Sequence, residues 1–238
     1  FADLNKSLDG KSRRKDKRNT LDEFQQKGYK LVNTEDEVVS LDKSTEKVVG
    51  LFSASGMNAA IDRDDEETGE PSLVQLAEKS LEILSADKKN YFVMIEAARI
   101  DWEAHDNDAG AVYKAMEELD RVLEVCYNEY QKDPENTVLV FTADHETGGL
   151  GISYNHFHGR KIKEELVNGD VFESSLNPLL FENFHKLTEQ KRSVYSMFKE
   201  VKSADELYKK INKNLSYEIT KEDAEIIYSV LHNYRKSK

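Results

Sequence analysis

Tyr91-Phe-Val-Met-Ile95 and Thr137-Val-Leu-Val-Phe141 are two continuous apolar runs, each the length of a strand. Between them, from about Asp108 to Tyr130, the apolar residues Val112, Ala115, Met116, Leu119, Val122, Leu123 and Cys126 recur at helical spacing on one side, and Pro134 closes the segment. Strand, long helix, strand is the pattern of a right-handed βαβ unit with two buried parallel strands. The expected fold class is therefore α/β with a mostly parallel sheet.

Working outward, the chain upstream carries further punctuation. Thr20 reads as an N-cap before Leu21-Asp-Glu-Phe-Gln-Gln-Lys27, Gly28 as the left-handed stop, and Tyr29 to Val32 as a strand. Lys47-Val-Val-Gly-Leu-Phe52 is a second β-rich run. The acidic loop Asp62 to Gly69 invites comparison with a calcium loop but lacks the ligand spacing of an EF-hand. After Pro71-Ser72, the residues Leu73, Leu76, Ala77, Leu81 and Leu84 mark one face of a helix. From Asn155 onward the pattern turns to helical stretches rich in Lys, Glu and Tyr, with capping signals such as Ser203-Ala-Asp-Glu206. This divides the chain into an α/β core over 1–154 and a helix-rich insertion over 155–238, with the boundary between Tyr154 and Gly159.

At 238 residues the chain can bury a substantial core. Its formal charge of -12, from 46 acidic and 34 basic side chains, disfavours nucleic acid and anionic membranes as partners and favours cations. The basic stretch Lys11 to Arg18 has no interleaved aromatics and reads as a solvated loop. No apolar run approaches the ~20 residues a membrane helix needs. The single cysteine, Cys126, falls within the helical pattern as core filler. The start at Phe1 and the end in Tyr234-Arg-Lys-Ser-Lys238 suggest a piece of a longer protein.

In an open α/β sheet, ligands gather where the parallel strands end. At the end of the first apolar run stand Glu96, Asp101 and His105; at the end of the second stand Asp144 and His145. Asp101 and His105 are four apart, so one turn of helix presents a carboxylate and an imidazole on the same side. Asp144 and His145 are adjacent, which suits a sharp turn leaving a strand. Mixed oxygen and nitrogen ligands favour zinc or a similar transition metal, whereas Glu96 alone suits a harder ion such as magnesium. Each pair taken alone reads more readily as a cap or a surface group. Together they point to two neighbouring metals and in-line phosphoryl chemistry.

The segments Phe92-Val-Met-Ile-Glu-Ala-Ala-Arg-Ile-Asp-Trp-Glu-Ala-His-Asp-Asn-Asp108 and Thr142-Ala-Asp-His-Glu-Thr-Gly-Gly-Leu150 resemble the two central motifs of the alkaline phosphatase family, bacterial type. The likeness covers residues 1 to about 154, and the remainder is similar to the family's helical crown. The resemblance implies a three-layer sandwich around a mostly parallel sheet. It also implies that Glu96 binds magnesium, that Asp101 and His105 bind one zinc, and that Asp144 and His145 bind the other. Trp102 lies where family members place a residue flanking the phosphate pocket, and packing is its equal alternative. Phosphomonoester substrates, a periplasmic or secreted location and a possible homodimer follow from the same resemblance.

The family mechanism is double displacement through a phosphoserine, and here the sequence departs. It contains no Asp-Ser-Ala nucleophile segment and no His-Thr dipeptide for a third zinc-binding histidine, so the chain alone is expected to be nearly inactive. His156, His158, His185 and His232 receive no role in the site. Two other readings compete: a noncatalytic relative that binds metal or a partner, and another two-metal superfamily member such as a phosphodiesterase.

Overall fold

The computed structural model describes residues 15–16, 18–53, 55–63, 68–86, 90–147 and 186–236. These fall into two compact units. One is drawn from the chain up to Ala98 together with Ala115–Thr142, and the other from Arg99–Lys114 together with Ala143 onward.

The first unit begins with α1 (Thr20–Gln26). Its N-cap is Asn19, whose side chain accepts from the Leu21 amide, so Thr20 is the first helical residue and not the cap. Gly28, at φ 82°, lets the helix stop in a Schellman turn: its amide reaches the Gln25 carbonyl and the Tyr29 amide the Phe24 carbonyl. The rings of Phe24 and Tyr29 then meet edge to face, 5.0 Å apart. The chain continues into β1 (Lys30–Val32), α2 (Glu35–Val39) and β2 (Val48–Gly50). The two strands pair in parallel, with Lys30 opposite Val48 and Val32 opposite Gly50. Val32, Val38 and Leu41 form a small core against Phe52, Leu76 and Ile83.

After α3 (Ala60–Arg63), α4 (Leu73–Leu84) starts on a complete capping box in which Ser72 and Gln75 satisfy each other's backbone amides. The buried side chains of α4, Ala77 and Leu81, lie on the face that its sequence marks as apolar. A buried ion pair fastens α3 to α6 (Ala109–Tyr130), and its carboxylate also holds the start of α4. Glu118 Oε1 accepts from both the Arg63 guanidinium and the Leu73 amide at 3.0 Å, and both charged side chains are only 8% exposed.

The two apolar runs expected to form buried parallel strands are not paired as strands among the described residues. Phe92 is 87% exposed, Met94 78%, Val138 87% and Val140 76%. An apolar run becomes a strand only when a neighbour supplies its ladder of hydrogen bonds, and none of the described segments does so here. The parallel pair observed is the one the sequence places earlier, β1 with β2. The class is α/β, with a small parallel sheet and many helices.

The second unit contains α5 (Ala98–His105) from Arg99 onward, the first turn of α6, α7 (Val194–Phe198), α8 (Ala204–Asn214) and α9 (Lys221–Lys236). Ser203 caps α8 as its sequence suggests, accepting from the Glu206 amide. Val201, Leu207 and Ile211 make the core of this helical group, covered by Phe198, Leu215, Ile219, Ile227 and Tyr228. Among the described residues no helix is long and apolar enough to cross a membrane.

Candidate functional site

α5 carries Asp101 in its first turn and His105 in its last, so the helical repeat places both on one side, with His105 Nε2 3.6 Å from Asp101 Oδ1. The segment after Phe141 bends at Asp144 and His145 and brings His145 towards the same oxygen. His145 Nε2 lies 3.9 Å from Asp101 Oδ1 and 3.6 Å from Asp144 Oδ2. Both histidines thus approach the Asp101 carboxylate and Asp144 joins through His145, all four within the second unit. Asp101 is half-buried, and His105, Asp144 and His145 are exposed.

Two contacts orient this cluster. The Thr147 hydroxyl donates to Asp101 Oδ1 at 2.9 Å, fixing the oxygen both histidines approach. His145 Nδ1 lies 2.6 Å from the Glu146 carbonyl oxygen, which places a proton on Nδ1 and leaves the Nε2 lone pair facing Asp101 and Asp144. A ring nitrogen tied to a carbonyl with its partner nitrogen free is the arrangement that metal-ligating histidines adopt. The same Glu146 carbonyl, with the charges of Asp144 and Asp101, raises the His145 pKa above its ordinary value. Any cation arriving at Nε2 competes with a proton, so binding there strengthens as pH rises.

The donor set suits zinc in kind, with carboxylate oxygen and imidazole nitrogen in each pair. It also suits zinc in spacing: two ligands about 2.1 Å from one tetrahedral ion sit roughly 3.4 Å apart, near the 3.6 Å within each pair. Three or more ligands are another matter. Among the described residues no set of three or more His, Cys, Asp or Glu side chains converges tightly enough to hold an ion. The pairs therefore have the bite of a metal ligand set without forming a closed site.

Glu96 is exposed and belongs to the first unit, so the cluster as described consists of the other four residues. Trp102 is 44% exposed, and the Arg99 guanidinium lies over its ring at 4.9 Å while hydrogen-bonding Glu103 at 2.9 Å. His232 stacks on Tyr228 with centroids 5.8 Å apart, a packing role. His156, His158 and His185 lie outside the described residues.

Thr147 and Arg99 were not singled out by sequence reasoning. Thr147 follows the Asp144-His145 pair at an ordinary loop position, and nothing local distinguishes its hydroxyl. Arg99 stands three before Trp102 and four before Glu103, a helical spacing that makes both contacts readable once the helix is known to begin before Asp101.

Comparison with known proteins follows the same lines. A family model of alkaline phosphatase matches residues 2–226. Alkaline phosphatase 3 of Bacillus subtilis is 32% identical over 208 residues, which is 82% of this chain and 43% of that protein. Alkaline phosphatase 4 of the same organism is 36% identical over 142 residues, 60% of this chain and 29% of that protein. The crystal structure of Thermus thermophilus alkaline phosphatase superposes with a TM-score of 0.71 at 27% identity, covering 90% of this chain and 41% of the other. The chain thus spans less than half the length of these relatives. The match of the family model over nearly its whole length places the assignment beyond the two motifs alone: the chain belongs to the alkaline phosphatase family.

Proposed function

We propose that this chain forms the metal-binding part of a phosphomonoesterase that uses two zinc ions and one magnesium ion and works through a phosphoserine intermediate. The observation that carries the proposal is the approach of His105 and His145 to one oxygen of Asp101, with Asp144 beside His145, in a member of this family. Asp101 and His105 would hold one zinc, Asp144 and His145 the second, and Glu96 the magnesium. Bound there, the metals supply Lewis acidity that polarises phosphoryl oxygens and neutralises developing charge.

The protein's own groups have definable tasks. Thr147 holds Asp101 in place, the Glu146 carbonyl aims His145 Nε2, and Trp102 with Arg99 against its face shapes the border of the phosphate pocket. In this reading residues 1–154 belong to the core and 155–238 to a crown-like insertion, the part that in the family often mediates pairing. The location is periplasmic or secreted, by likeness to the family. With no Asp-Ser-Ala segment in its sequence, the chain by itself turns over phosphomonoesters negligibly.

The test is binding of inorganic phosphate to the chain with and without zinc, together with hydrolysis of a chromogenic phosphomonoester. Zinc-dependent phosphate binding that Asp101→Asn abolishes supports the proposal. Phosphate binding indifferent to zinc, or rapid turnover by this chain alone, would overturn its respective parts.

A further inference from the structure

Three residues beyond His105 lies a carboxylate that the site does not use. Asp108 is 2% exposed, yet hydrogen bonds reach it from three directions. Its Oδ1 accepts from the Ala111 amide at 3.1 Å, so it caps the start of α6, and from Gln190 Nε2 at 2.7 Å. Its Oδ2 accepts from the amide of Val194, the first residue of α7. Gln190 is itself 8% exposed, and its Nε2 also donates to the Arg192 carbonyl at 2.8 Å.

The backbone of Asp108 belongs to a different structure. Its amide donates to the Glu103 carbonyl at 2.9 Å and that of Asn107 to the Ala104 carbonyl at 3.0 Å, with Asn107 at φ 54°. That is the Schellman ending of α5, the helix that carries Asp101 and His105. One residue therefore closes the ligand helix with its main chain and grips the 190–194 segment with its side chain. A buried carboxylate is costly unless its hydrogen bonds are met, so this grip has one well-satisfied geometry. Gly110 leaves the room it needs: a Cβ there would stand 2.2 Å from Gln190 Oε1 and 2.9 Å from Gln190 Cβ.

We infer that Asp108 and Gln190 form a buried latch that positions the Asp101–His105 helix on the 190–194 segment, so that the C-terminal helical part of the chain sets the geometry of the metal ligands. Asp108 and Gln190 are positioning residues: neither touches substrate or metal. The inference rests on the proposed metal role of Asp101 and His105, and its test separates the two.

Hydrogen exchange of the metal-free chain reads the latch directly, at the amides of Asp106, Asn107 and Asp108 that close α5. Gln190→Ala speeds their exchange roughly tenfold, the factor expected for losing one hydrogen bond to a charged group, while the amides of α8 stay protected. Gly110→Ala gives a test of sign. Helix propensity alone would stabilise the start of α6 and speed none of these amides, whereas the latch requires them to exchange faster because the new methyl group displaces Gln190. The double variant exchanges no faster than the more affected single one, because both changes break the same contact.

Zinc affinity, measured by competition with a chromophoric chelator on folded variants, then falls about tenfold in Gln190→Ala, the low end for an outer partner of a metal ligand. It stays unchanged in the exposed control Glu225→Gln. Exchange at the three amides that ignores Gln190→Ala and Gly110→Ala, or faster exchange with unaltered zinc affinity, would overturn the inference. Zinc that stays bound in Asp101→Asn overturns the metal reading alone, and the exchange data still decide the latch.

Discussion

Replacing Glu118 by glutamine removes one negative charge and little else, which makes it a clean probe of the first unit. Glu118 Oε1 serves two donors, the Arg63 guanidinium and the Leu73 amide at the start of α4, and both charged side chains are 8% exposed. Glutamine keeps an acceptor for the Leu73 amide but leaves the guanidinium buried without its counter-charge. Breaking a buried pair from one side costs about 3–5 kcal/mol, most of it the penalty on the stranded partner. Glu118→Leu also strands the Leu73 amide and adds about 1–3 kcal/mol. Arg63→Met with Glu118→Leu costs less than the sum of the single changes, because no charge is then left buried. Urea unfolding followed by circular dichroism reads these values, and with a slope near 2 kcal/mol/M the Glu118→Gln midpoint falls by roughly 1.5 M or more. A Glu118→Gln cost under about 1 kcal/mol, the range of an exposed pair, would refute the reasoning.

Other expectations concern the core, the cysteine and the exposed runs. Leu207 is fully buried between α8 and α9, so Leu207→Ala costs about 3–5 kcal/mol in unfolding experiments, whereas a change at exposed Glu222 stays within about 0.5 kcal/mol. Burial pushes the Cys126 thiol pKa up. The folded chain therefore alkylates more slowly than the urea-unfolded chain at pH 8. The stability tied to the neutral thiol is complete below the unfolded pKa of about 8.5 and is lost as pH rises through the folded value. Phe92→Ser and Val138→Ser, at side chains 87% exposed, leave the unfolding midpoint unchanged while lowering binding of a hydrophobic dye; a large loss of stability would contradict their exposure.

The helices of this chain are readable residue by residue because their signals are local. Ser72, Ser203 and Gly28 announce ends that the backbone obeys, and the apolar stripe of Leu73 to Leu84 buries Ala77 and Leu81 as its period requires. Tyr91–Ile95 and Thr137–Phe141 carry an equally plain apolar signal, but a strand is half of a relation, and the partner's register is not encoded in the run itself. The candidate site divides in the same way. Asp101 and His105 share a helix face by spacing alone, whereas the approach of His145 to Asp101 is a long-range contact, anticipated only through an expected strand pairing and the shared family motif. Asp108 could be recognised as the cap of α6 from its position, but its bond to Gln190 spans 82 residues and leaves no trace in the sequence around either.

The account stands on the cluster at Asp101, and metal content addresses it most directly. Zinc and magnesium per chain would be measured after dialysis, in the unaltered chain and in a variant carrying both Asp144→Asn and His145→Ala. The account predicts stoichiometric zinc in the former and its loss in the latter. A chain that retains no zinc, or a variant that keeps all of it, would contradict it.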